Sequence, residues 1–151
     1  MGAHQIKTRR FWFRLLLLWS GSFPIFYGAS AMLSRNTWET VEYTLFQTKV
    51  ERTPELDFAL KPLGVYVLMF GVLLVYAARE PEKNSVIINW AALVFLTRAV
   101  QRLFFMEELE RLFQVPRYLN FLHVIYLVIL AAALWWFRPR TDANLVKETM
   151  S

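Results

Sequence analysis

Four almost wholly apolar stretches of roughly 20 residues each leave this chain few ways to fold. A helix rises about 1.5 Å per residue, so about 20 residues cross a hydrocarbon core of about 30 Å. In lipid, every backbone N–H and C=O must be satisfied internally, and a helix does this within one segment. The stretches therefore predict membrane-spanning helices over 11–33, 58–78, 86–106 and 118–137. Little of the 151 residues remains outside them, so the expected fold is one all-α membrane domain over 1–151, a four-helix bundle. Composition agrees, because 56% of residues are hydrophobic and a soluble domain holds about 45–50%.

Local signals mark the ends of the spans. Thr53, Pro54 and Glu55 read as a capping residue, a first-turn proline and a first-turn acid. Pro81 closes span two, and Asn84 or Ser85 caps span three. The third helix is expected to run on to Phe113, where Val115-Pro116 breaks it. Trp135, Trp136 and Phe137 followed by Arg138-Pro139-Arg140 form an interfacial belt and a stop. The first span has a rival reading as a secretory signal peptide: Lys7, Arg9 and Arg10 lead into a Leu-rich run, and Ala29-Ser30-Ala31 resembles a cleavage site. Gly21, Ser22 and Pro24 interrupt that run, and its length suits a span, so a retained helix is expected.

The chain carries 17 Lys+Arg against 12 Asp+Glu, a net charge of +5. These cations flank apolar spans, so membrane topology explains them and nucleic acid is not an expected partner. With the N-terminus inside, the inner side holds nine: Lys7, Arg9, Arg10, Arg14, Arg79, Lys83, Arg138, Arg140 and Lys147. The outer side holds six: Arg35, Lys49, Arg52, Lys61, Arg111 and Arg117. The bias, concentrated before span one, places both termini in the cytoplasm; the expected membrane is a bacterial inner one. The absence of cysteine removes disulfides, thiolate metal sites and cysteine nucleophiles.

Between spans one and two, Trp38, Val41 and Leu45 recur at helical spacing, with Glu39, Glu42 and Lys49 between them. The pattern predicts an amphipathic helix over 37–52 on the outer surface, its apolar side free to cover the end of the bundle. The loop 107–117 is rich in Glu, and the tail 141–151 is polar.

Few residues here carry chemistry. Arg98 and Arg102 lie four apart on one face of span three, with Gln101 beside them. Counted from Val86, they stand about 18 and 24 Å along the span. An intramembrane cation is costly and faces protein, water or a ligand. The candidate functions are an anion or lipid-headgroup site, a contact with a partner subunit, or an ion pair with Glu55, Asp57 or Glu108. His123 is the only histidine at membrane depth, since His4 lies in the leader. One imidazole offers an axial ligand to haem or chlorophyll or, more simply, a bond to a neighbouring helix. No second ligand accompanies it, so no cofactor and no metal is expected. No HExxH, GxSxG, P-loop or dinucleotide pattern appears, and no catalytic residue is assigned. Gly21 and Gly28 are seven apart, as are Gly64 and Gly71. Each pair forms a two-turn stripe that lets helices approach closely, either each other or another protein.

Residues 56–104 hold the Gly64/Gly71 pair, Pro81 and Arg98. In this stretch the chain resembles small four-helix bacterial integral membrane proteins of unknown function. The resemblance implies a fold and no activity. The functional expectation is a non-enzymatic accessory or structural subunit of a larger membrane complex, in contact with lipid and with other subunits. The alternatives are a binder of lipid or another anionic small molecule through Arg98 and Arg102, and a pigment- or haem-carrying subunit using His123.

Overall fold

In the computed structural model, which describes residues 3–33, 35–48 and 53–138, each expected span is a helix. The order is α1 Ala3–Leu33, α2 Arg35–Phe46, α3 Pro54–Ala77, α4 Ser85–Phe104, α5 Met106–Phe113 and α6 Arg117–Phe137. Four of these, α1, α3, α4 and α6, are long and apolar enough to cross a membrane. The short helices α2 and α5 connect them at one end.

Span one does not break at its Ser-Gly-Ser-Phe-Pro run. Helix α1 passes through Pro24 without interruption. Ser20 and Ser22 donate their hydroxyls to Leu16 and Leu18 carbonyls, at 2.6 and 2.7 Å. Ser30 does the same to Tyr27, at 2.7 Å. Such bonds hide polar side chains within their own helix, as lipid demands. Helix α3 starts as its sequence predicts: the Thr53 hydroxyl accepts from Leu56 N, with Pro54 opening the helix.

Two expected boundaries move. The helix after span one ends at Phe46 and does not reach residue 52. Gln47 adopts φ 53°, a left-handed conformation that stops a helix, and its N–H closes on the Tyr43 carbonyl. Lys49 and Arg52 lie outside the described residues, as does the tail 141–151. The third helix does not run on to Phe113. Phe105, at φ −99° and ψ 22°, separates α4 from α5. Beyond the break, α5 keeps only narrow contacts with α4 and α6.

The spans form two close antiparallel pairs, α1 with α3 and α4 with α6, joined by narrower contacts of α3 with α4 and α1 with α6. Glycine decides the first pair. A Cβ on Gly28 would meet Gly64 O at 2.5 Å, and one on Gly71 would meet Gly21 O at 2.6 Å. The two stripes that the sequence offers therefore face each other within one chain, Gly21 against Gly71 and Gly28 against Gly64. Small residues also mark α4, where Ala91, Ala92 and Ala99 are buried in the core. The apolar core fills the space between the pairs with Phe13, Leu17, Leu74, Phe95, Leu127 and Leu134.

The outside is as apolar as the inside. Phe58, Phe104 and Trp136 are 80%, 81% and 77% exposed. A soluble monomer rarely shows such continuous apolar surface, whereas a bilayer solvates it. At the end carrying the α3–α4 turn, arginines tie the helices together. Arg10 pairs with Glu82, Arg14 donates to the Arg79 carbonyl at 2.7 Å, and Arg9 donates to the Trp136 carbonyl at 3.0 Å. Arg138 reaches Asn89 at 2.7 Å and lies over the Trp135 ring. In the turn itself, the hydrogen bond from Lys83 holds the Glu80 carboxyl below the usual range, and Glu80 in turn raises Lys83.

Candidate binding site

The opposite end, the one that carries α2, holds Arg98 and Arg102 of α4 and Asn120 and His123 of α6. Helical geometry puts Arg98 and Arg102 one turn apart on α4. The structure gives them different surroundings. Arg98 is exposed, and its Nη1 donates to Gln101 Oε1 at 2.8 Å, an amide on its own helix. Among the described residues Arg98 makes no ion pair, so none forms with Glu55, Asp57 or Glu108.

Arg102 is half-buried and turned toward α6. Its Nη1 donates to Asn120 Oδ1 at 2.8 Å, while Asn120 Nδ2 donates back to the Arg102 carbonyl at 3.2 Å. Asn120 is 1% exposed, so both ends of its amide are used where no water reaches. This reciprocal pair locks α4 to α6 and aims the guanidinium. His123, one turn along α6, is half-buried, and its ring meets Tyr126 edge-on at 6.1 Å.

At the same end of the bundle, α1 and α2 contribute polar side chains of their own. Tyr27 donates its hydroxyl to Glu42 Oε1, and Thr48 donates to Glu42 Oε2 at 3.2 Å. Trp38, 5% exposed, seats α2 beside them.

Of the residues singled out from sequence, Arg98, Gln101, Arg102 and His123 thus share one end of the bundle. Gly21, Gly28, Gly64 and Gly71 line the α1–α3 seam instead. The His4 side chain lies outside what is described. Sequence reasoning missed Tyr27, Glu42, Thr48 and Asn120. Two of these had a signal. Asn120 is an amide inside a span, and Glu42 stands four residues after Trp38, on the same helical face. Tyr27 and Thr48 had none. Among the described residues no three His, Asp or Glu side chains cluster as metal ligands.

Fold and apolar surface together define a class: a four-span integral membrane protein. Within that class no particular relative can be named, since the chain matches no family model, no curated protein and no solved structure.

Proposed function

We propose that this chain is a non-enzymatic membrane protein that binds an anionic group at the α2 end of its bundle, through Arg98 and Arg102. One observation carries the reading: Arg98 stands well inside a span and, among the described residues, has only the neutral Gln101 amide as partner. Holding an Arg in a bilayer core costs roughly 2.5–3.5 kcal/mol on translocon scales, and an anion offsets that cost. Guanidinium suits the task, because its planar fork matches the oxygens of phosphate and carboxylate. The reciprocal Arg102–Asn120 pair supports it, because it preorganises the second guanidinium.

The same surface serves an accessory subunit, in which a partner's carboxylate would replace the ligand. Arg98→Leu separates these roles. Arg98 is exposed and bonded only along its own helix, so thermal stability in detergent should change by no more than about 0.5 kcal/mol. Native mass spectrometry after gentle purification should show bound anionic lipid or metabolite on the wild type and its loss from the variant. Loss of a copurifying subunit instead would assign the accessory role. Identical bound species on both proteins would overturn the proposal.

A further inference from the structure

At the end that carries the α3–α4 turn, two arginines converge on the C-terminus of α6. Arg9 of α1 donates to the Trp136 carbonyl at 3.0 Å. Arg138 follows Trp136 by two residues and donates to Asn89 of α4 at 2.7 Å, its guanidinium 4.8 Å from the Trp135 ring centroid. Both acceptors, a carbonyl and an amide, are neutral. Helices α1, α4 and α6 contain no Asp or Glu. The two carboxylates of the α3–α4 turn are engaged elsewhere, Glu80 by Lys83 and Glu82 by Arg10. Among the described residues no carboxylate therefore pairs with Arg9 or Arg138. The dipole of α6 puts roughly half a negative charge at its C-terminus, which leaves the place strongly positive. Each guanidinium has N–H donors beyond the one it gives to the protein.

Exposed aromatic side chains set the depth of this place. Phe11 and Trp12 closely follow Arg9 on α1, Trp90 follows Asn89 on α4, and Trp135 and Trp136 precede Arg138, all 57% exposed or more. Trp side chains of this kind concentrate at the headgroup level of a bilayer. We infer that Arg9 and Arg138, drawn to the C-terminus of α6 by their bonds to Trp136 and Asn89, hold the phosphate of an anionic phospholipid. The planar guanidinium fork matches phosphate oxygens. Basic places between spans at a membrane surface take such headgroups. A zwitterionic headgroup brings a further cation beside two arginines and no carboxylate, so the site disfavours it. The occupant is a lipid and not a free anion, because the aromatic collar offers its acyl chains an apolar surface at the same depth. This site lies at the other end of the bundle from Arg98 and Arg102 and does not depend on them.

The test uses the full chain, released from nanodiscs of equal phosphatidylglycerol and phosphatidylcholine and read by native mass spectrometry. Wild type should retain one more phosphatidylglycerol than the Arg9→Gln/Arg138→Gln double variant. Each single glutamine variant should bind that lipid about tenfold more weakly, the loss that one charge-assisted hydrogen bond implies. If the double variant fails to fold, the single variants carry the same comparison. Lys83→Gln removes a cation from the same end, but one paired with Glu80, and should leave retention unchanged. Arg98→Leu should keep this lipid too, so the fate of the site beneath α2 is read separately. Arginines that only tie helices together would lose thermal stability on substitution with no change in the ratio of the two lipids retained; that result overturns the inference. Loss in Lys83→Gln equal to that in Arg9→Gln overturns it as well, because bulk charge would then explain the binding. Displacement of the lipid by soluble glycerol phosphate would overturn the assignment to a phospholipid.

Discussion

At the scale of single residues, the α1–α3 seam tolerates no side chain at its glycines. A Cβ on Gly28 would lie 2.5 Å from Gly64 O and 2.6 Å from Leu68 N, and backbone cannot swing aside. Gly28→Ala should therefore lower stability by about 1–3 kcal/mol, the usual cost of overpacking. Thermal unfolding in detergent reads this directly. Ser22→Ala is the control on the same helix: Ser22 is exposed, its hydroxyl serves only the Leu18 carbonyl, and its loss should matter by no more than about 0.5 kcal/mol. Asn120 is the other sensitive position. Asn120→Ala removes both bonds that join α6 to Arg102 in a site without water. A loss of about 1–3 kcal/mol should follow. An unfolding midpoint equal to wild type would mean that the pair does not lock α4 to α6.

At the scale of elements, α2 is the part whose placement governs the polar end. Trp38 is its only large apolar side chain buried below a tenth among the described residues, and Tyr43 on the far side is 58% exposed. Trp38→Ala should release α2 from α1, since emptying a Trp site costs about 3–5 kcal/mol. Limited proteolysis within 35–48 should accelerate, while the four spans remain protected. A digestion pattern like that of the wild type would show that α2 is held by something other than Trp38. The periodicity of Trp38, Val41 and Leu45 made this helix legible, yet its C-terminus was not. Nothing in the local sequence marks Gln47 as left-handed.

At the scale of the whole molecule, the two helix pairs carry different polar ends: an arginine-tied end at the termini and the Arg98–Glu42 end beneath α2. The Lys/Arg bias predicts that the termini face the cytoplasm and α2 faces outward. A reporter fused after Ser151 and another inserted within 37–52 should report opposite compartments, with the terminal one inside. Finding both on one side would defeat an even number of spans with α2 between the first two. The exposed Phe, Trp and Leu side chains around the bundle make lipid the medium of every one of these measurements.

The number, length and order of the spans followed from sequence alone, because satisfying backbone polar groups in hydrocarbon leaves only one local solution to each 20-residue apolar run. The caps at Thr53 and Pro54 followed for the same local reason. The Gly21/Gly28 and Gly64/Gly71 stripes were visible too, but a stripe shows only that something must come close. Only the packed fold decided that each stripe is the other's partner, in antiparallel register. The meeting of Arg102 with Asn120, and of Tyr27 with Glu42, joins residues 18 and 15 positions apart on different helices. Such contacts depend on how helices rotate and cross, which side-chain packing across the whole bundle sets, and no short stretch of sequence encodes that rotation by itself.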